Sequence, residues 1–392
     1  MLFNLRKKYF IILAFLIFLL FLMSGCNFYT STDIPTKGAL SEEKKDIKTI
    51  TITAVGDIMV HMPQAKSAIK PDGSYDFTPH FEEVREYIKD SDIAICNLET
   101  TISTPVKGYT GYPRFRSPEE IIPAIKYTGF NVVITANNHS LDNLEFGVVN
   151  TLNALDKYGL FHAGTYRNEE ESKKILIIDK KGIKVAILAY TFGTNGMEVH
   201  IDRGKLKYMV NYIEEEKILK DINRAKEEGA DIVILYLHWG MEYARTVDEE
   251  RKTLTDKLFR AGADIILGTH PHVIQPMEKK KITTDDGEEK EVFVAYSLGN
   301  FISNQRDRYQ DSGVIVNITI TKKNDKTSIT EVSYVPTWVR VFKKEGKTQY
   351  RILPVGKFLN CEELSSTELE RIREVWQETT DIVGSDGIKI KD

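Results

Sequence analysis

The chain has 392 residues, 42% hydrophobic and 28% charged, with acidic and basic residues mixed to a formal net charge of -4. That balance excludes a disordered chain, and the lack of any basic stripe excludes nucleic acid as a partner. The length suits one large α/β domain with additions.

Arg6, Lys7 and Lys8 precede an apolar run from Tyr9 to Met23, then Ser24, Gly25 and Cys26. A basic start, an apolar middle and small residues before a cleavage point make a secretory signal. At about 1.5 Å per residue the run spans roughly 22 Å, short of the ~30 Å hydrocarbon core of a bilayer. Residues 1–26 therefore read as a signal peptide. Its end resembles a bacterial lipobox, with Met23 where leucine is usual and Cys26 as the acylated new N-terminus. The alternative is an uncleaved N-terminal membrane anchor. Either reading puts the remainder on the outer face of the cytoplasmic membrane, held there by a lipid chain or an anchor. Residues 27–47 are polar and lack an apolar period, as a flexible tether would.

Strands and helices then alternate. Thr49–Val55 predicts a strand ending at Gly56-Asp57, Phe81–Lys89 a helix, and Ile93–Cys96 a strand ending near Asn97-Leu98-Glu99. Pro118–Thr128 predicts a helix capped by Ser117. Val132–Thr135 is a strand running into Asn137-Asn138-His139, and Leu144–Tyr158 a helix. Val185–Ala189 and Ile232–Leu237 are strands, separated by a helix over Glu214–Glu228; the second ends at His238. A helix over Glu249–Ala261 leads to a strand at Ile265–Leu267, which ends at Gly268-Thr269-His270-Pro271-His272. The chain then becomes β-rich over Val292–Ser297, Gly313–Thr321 and Ile329–Val341, with a hairpin tip at Asp285–Lys290 and a last helix over Ser366–Thr380. These units imply an α/β fold with a largely parallel sheet and a partner sheet. Residues 48–305 form the principal domain, and 306–392 a β-rich completion of the second sheet plus a helix. Cys96 and Cys361 read as free thiols, with a single disulfide as the alternative.

Asp57, Glu99, Asn138, His139, His238, His270 and His272 all follow apolar strand runs, and ligands of open α/β sheets bind outside the carboxyl ends of strands. Imidazole and carboxylate suit Zn, Fe and Mn, and a carboxylate can bridge two cations. Pro271 is expected to hold His270 and His272 on an extended segment that serves adjacent metal positions. His139 could stay unbound as a general acid, with Asp142 orienting it or instead capping the next helix. Singly, each of these residues also reads as a turn former, a cap or a core histidine; their ordered recurrence at strand ends is what points to a site.

Gly56-Asp57, a second-strand carboxylate, Asn138-His139, His238 and the Gly-x-His-x-His segment resemble the five ordered motifs of calcineurin-like phosphoesterases. The strings AVGDIM, CNLETTIS, TANNHSLDN, LYLHWGMEY, GADIILGTHPHVIQP and YSLGNF resemble the CapA family of poly-gamma-glutamate capsule proteins, over about Ile50 to Ser303. The resemblance implies a four-layer α-β-β-α sandwich of two packed mixed sheets. It also implies Asp57, Glu99, Asn138, His238, His270 and His272 as ligands to one or two divalent metal ions (Mn, Fe or Zn), and His139 as the acid. It places Asn300 near the site, and Arg116, Trp239 and Asn300 are the candidate contacts to an anionic or polymeric substrate. Met59 stands where the broad superfamily has a histidine, and Glu99 where it has aspartate. A thioether is a poor ligand for a hard cation, and His61 is the candidate replacement. Two functions follow. One is a factor in poly-gamma-glutamate capsule synthesis or export, partnered by the polymer and its membrane synthase. The other is a metal-dependent hydrolase of a surface polymer or phosphoester.

Overall fold

A computed structural model describes residues 47–384 and 387–391. The signal segment, Cys26 and nearly all of the tether lie outside the described residues. Two sheets carry the fold. The first is nine-stranded, around strands β1 (Ile47–Ile58), β2 (Ile93–Leu98), β3 (Val132–Ile134) and β4 (Phe161–Ala163), which run parallel. The second is six-stranded, with β5 (Leu176–Lys180), β6 (Ile183–Thr191), β7 (Ile232–His238), β8 (Ile265–Thr269), β9 (Met277–Thr283) and β10 (Glu289–Ala295). Its four inner strands β6, β7, β8 and β10 are parallel, while β5 and β9 close the edges antiparallel.

The period of two along each strand sorts side chains between layers. Ile50, Ile52 and Ala54 of β1 pack with Ile93, Ile95, Ile232, Ile234, Ile265 and Leu267 in one core between the sheets. The alternate residues Val55, Ala94, Cys96 and Val133 pack beneath helices α1 (Ile121–Thr128) and α2 (Leu144–Lys157). On the other side, Val233, Leu235 and Ile266 meet Ile218 and Ile222 of α3 (Glu215–Glu227) and Leu258 and Phe259 of α4 (Glu249–Ala261). This is the four-layer α-β-β-α sandwich. Because both faces of the inner strands are covered, they read as unbroken apolar runs.

Several expectations need correction. Residues 306–392 do not complete a second sheet. Strand β12 (Ser312–Lys323) pairs antiparallel with β1, and β13 (Lys326–Lys344), β14 (Lys347–Pro354) and β15 (Ile388–Ile390) extend that first sheet; a short β11 (Asn300–Ile302) also joins β1. The last helix, α5 (Ser366–Val383), covers this extension through Ile372 and Val375 against Trp338 and Leu353. Ser117 does not cap a helix from Pro118. It lies in a two-residue strand beside Ile102, its hydroxyl 2.6 Å from that of Thr100, and the helix starts at Ile121. The Phe81–Lys89 stretch is a short helix, Thr78–Phe81, followed by a 3₁₀ segment, Glu82–Tyr87. Ile47 belongs to β1 rather than to the tether. Cys96 and Cys361 are free thiols.

Candidate metal centre

The register of the two sheets brings the strand ends together. Asp57 is opposite Asn97 on β2 and Asn300 on β11, while His238 at the end of β7 is opposite Thr269 on β8. Two glycines allow this approach. A Cβ on Gly56 would lie 1.8 Å from the carbonyl oxygen of Gly299, and one on Gly268 would lie 1.9 Å from that of Tyr296. Glycine before each ligand segment therefore answers to a neighbouring backbone, and Asp57 N–H donates to that same Gly299 carbonyl at 3.0 Å.

Asp57, Glu99, His238, His270 and His272 are all buried. Their ligand atoms form two overlapping groups, Asp57–Glu99–His272 and Glu99–His238–His270, each with its atoms within 4.8 Å of one another. Glu99 is common to both. Its Oε1 lies 3.7 Å from His238 Nε2 and 3.6 Å from His272 Nε2, beyond hydrogen-bonding reach. The Asn138 amide oxygen is 3.0 Å from His238 Nε2, so it joins the second group. Around His272 Nδ1 stand two acceptors, Asp57 Oδ2 at 3.0 Å and Asn300 Oδ1 at 3.1 Å. They hold the ring proton at Nδ1 and leave the Nε2 lone pair facing Glu99.

The protein leaves two ligand atoms of this cluster without a partner. Glu99 Oε1 and His270 Nδ1 are buried and find no hydrogen-bond partner among the described residues. Burial, then the Asp57 charge, holds the Glu99 carboxyl well above the usual carboxylate range. Burial, then the neighbouring His270, holds the His238 ring well below its ordinary value, and His270 itself is pushed down to about 3, mainly by burial. Clustered lone pairs and buried carboxylates without a counter-charge are costly unless a cation meets them. The donor set, imidazole with carboxylate and one amide oxygen, fits borderline divalent ions. Asp57, Glu99 and His272 would hold one ion, and Glu99, Asn138, His238 and His270 the other.

The His270-Pro271-His272 segment is not extended. His270 has φ +96° and His272 φ +57°, both left-handed. Such backbone costs on the order of 1–3 kcal/mol per residue and persists where surroundings over-determine it. Here Pro271 O accepts from Tyr243 N–H at 2.7 Å and Asp57 Oδ2 from His270 N–H at 3.4 Å. The turn, not an extended strand, sends one ring to each group.

His139 stands outside both groups. Its Nδ1 donates to Asp142 Oδ2 at 2.8 Å, so Asp142 orients it rather than capping α2. Asp142 is in turn fixed by the Phe115 N–H, and its carbonyl accepts from the Arg114 guanidinium at 2.9 and 2.7 Å. His139 and Asp142 open on a cavity of about 230 Å³ that Tyr112, Arg114, Asn138, Asn195 and Glu242 also line. A larger cleft of about 1260 Å³ lies at the opposite strand ends. Three of its lysines face carboxylates, Lys226 Asp286 at 3.7 Å, Lys279 Glu291 at 2.8 Å and Lys290 Asp264 at 2.8 Å, and among the described residues no ligand cluster lines it.

The three candidate substrate contacts move. Trp239 is a core residue: it is 2% exposed, and its Nε1 donates to Tyr296 O, on whose ring it stacks. Asn300 is fully buried and holds His272, its own amide fixed by Gln305 and the Gln310 carbonyl. Arg116 sits on the short strand beside Thr101, and the guanidinium lining the cavity is that of Arg114. His61 belongs to none of the ligand groups; its Nδ1 is occupied by Gln64 and the Asn304 N–H. Sequence reasoning also passed over Asn97 and Asn137. Asn97 Nδ2 donates to Asp57 Oδ1 at 2.8 Å, Asn137 Nδ2 to Asn97 Oδ1 at 3.1 Å, and Asn137 Oδ1 accepts from His139 N–H at 3.2 Å. Adjacency to the ligands was the signal available for both.

The family described as bacterial capsule synthesis protein PGA_cap matches residues 51–305. The capsule biosynthesis protein CapA of Bacillus anthracis is 30% identical over 290 residues, 71% of this chain and 66% of the relative. The PGA biosynthesis protein CapA of Bacillus subtilis (strain 168) is 30% identical over 240 residues, 60% of each. The chain thus covers less than two thirds of either relative's length. Among solved structures, the calcineurin-like phosphoesterase YfkN of Bacillus subtilis aligns with 86% of this chain and 97% of its own, at 14% identity and a TM-score of 0.42, too low to bear on the site's chemistry.

Proposed function

The chain belongs to the bacterial capsule synthesis protein PGA_cap family, and we propose that it serves the synthesis or export of a poly-gamma-glutamate surface polymer through a divalent-metal site at the strand ends. We place it on the outer face of the cytoplasmic membrane, lipid-anchored at Cys26, beside the polymer's membrane synthase. Among the described residues no helix is long and apolar enough to cross a membrane. The observation that carries the reading is the pair of ligand groups sharing Glu99, with Glu99 Oε1 and His270 Nδ1 left without partners. The name of the Bacillus anthracis relative supports a capsule, and that of the Bacillus subtilis relative supports PGA as the polymer.

Bound divalent ions lower the pKa of a coordinated water and polarise a phosphoryl or carbonyl oxygen. The chain's own residues do the rest. Asp142 fixes the tautomer of His139 and leaves Nε2 as the atom that gives or takes a proton. Arg114 presents a guanidinium beside it, suited to an anionic group of the substrate. Phe115 packs edge-on against His139 at 4.7 Å and keeps the ring dry on that side. This dyad, opening on a cavity, favours a second reading, hydrolysis of a phosphoester or amide bond.

Gene deletion with complementation tests the first reading. Loss of surface polymer should be restored by the wild-type gene but not by His238→Ala; restoration by His238→Ala at wild-type polymer levels would remove the metal site from the function. For the second reading, the purified chain with Mn²⁺ should cleave a generic phosphodiester, and His139→Ala should slow it by a factor of about 10²–10⁴. No turnover by the wild type would end it.

A further inference from the structure

The loop after β7 carries an acid that the ligand motifs do not include. Glu242 is exposed, yet its carboxylate stands within 4.8 Å of ligand atoms of both His270 and His272, which lie in different metal groups. Glu99 and Asp57 are not part of this third group, so Glu242 faces the pair from the solvent side. It also lines the cavity that contains His139 and Arg114.

The position is built. Tyr243 N–H donates to the Pro271 carbonyl between the two histidines, at 2.7 Å. The Tyr243 hydroxyl accepts from Gln305 Nε2 at 3.2 Å, and Gln305 also holds Asn300, which orients His272. Gln275, three residues past His272, donates to the carbonyls of Ala244 at 2.6 Å and Thr246 at 3.3 Å. Before Glu242, Trp239 N–H donates to the Thr269 carbonyl at 3.0 Å, so loop and histidine turn are strapped together on either side of it.

The donor count gives it a task. Met59 stands where the resembled pattern has a ligand, and it brings no hard donor. The Asp57–Glu99–His272 group is left with three donors. We propose that Glu242 is a further metal ligand, a carboxylate that completes the pair from the solvent side, opposite Glu99, and makes up for the donor missing at Met59. This rests on the metal-site reading above.

The test is metal binding by the full chain, stripped with EDTA and titrated with Mn²⁺, for wild type, Glu242→Gln and Glu242→Ala. Both changes are at an exposed side chain, and melting in EDTA should match wild type. The expected result is two ions on the wild type, with one of them weakened at least about tenfold, or about 1.4 kcal/mol, in both variants. Two ions bound equally tightly by all three proteins would overturn the role of Glu242 and leave the metal site standing. A wild type that binds no Mn²⁺ would overturn the metal site, and Glu242's role with it.

Discussion

Asp57 and Glu99 share one amide donor, Asn97 Nδ2, at 2.8 and 3.5 Å, and both are fully buried. Without a cation that pair destabilises the fold. In EDTA, Glu99→Gln should therefore raise the unfolding midpoint, by about 1 kcal/mol or more. With saturating Mn²⁺ the same change should lower it, because a ligand is lost. Urea melts in the two buffers check this reversal; a change of the same sign in both would argue against a cation at Glu99. A histidine remote from the site makes a pH prediction. Burial pushes the His80 ring down to about 4 from an ordinary 6.5, only partly opposed by Asp76. It packs edge-on against Phe77, and Nε2 lies 3.0 Å from Ser67 Oγ. Above pH 6.5 both folded and unfolded rings are neutral. As pH falls, the unfolded ring gains its proton first, so stability drops between about 6.5 and 4, by up to about 3 kcal/mol. Comparing the pH dependence of urea midpoints in wild type and His80→Gln isolates this contribution, which should be absent from the variant.

The elements meet through glycine. Gly56→Ala would drive a Cβ to within 1.8 Å of the Gly299 carbonyl, where β1 passes the start of β11. It should cost about 3 kcal/mol or more, read from the urea midpoint, and weaken metal binding through Asp57. An unchanged midpoint would mean that the two segments are not packed this closely. The inner strands and long helices were legible in the sequence to within a few residues, because burial on both faces leaves continuous apolar runs such as Ile232–Leu237. The edge strands were not. Met277–Thr283 carries Lys279, Lys280 and Lys281 in a row, and Lys347–Pro354 carries Lys347 and Arg351 on positions that are not buried; such charge, usual on sheet edges, hides the strand period. The destination of the C-terminal strands was not legible either, since pairing of β12 with β1 joins residues more than 250 positions apart. The left-handed turn at His270 and His272 was missed because Pro271 argued for extended backbone, while the deciding contacts come from Tyr243 and Asp57.

Across the molecule, two sheets bring carboxyl ends of β1, β2 and β3 to face those of β7 and β8, and the six ligand positions read from the strand ends come together there. That much followed from order and residue type. What did not follow is which polar neighbours serve the ligands: Trp239 faces the core, Asn300 positions a histidine, and Arg114 rather than Arg116 reaches the cavity. These distinctions depend on side-chain direction at single residues, which neither period nor motif specifies. The central claim is that one carboxylate, Glu99, joins two metal positions. Elemental analysis of the purified full chain after equilibration with Mn²⁺ tests it most directly. The account predicts two ions per wild-type chain, one in His272→Ala, one in His238→Ala and none held tightly in Glu99→Ala. Two ions retained by Glu99→Ala, or none on the wild type, would contradict it.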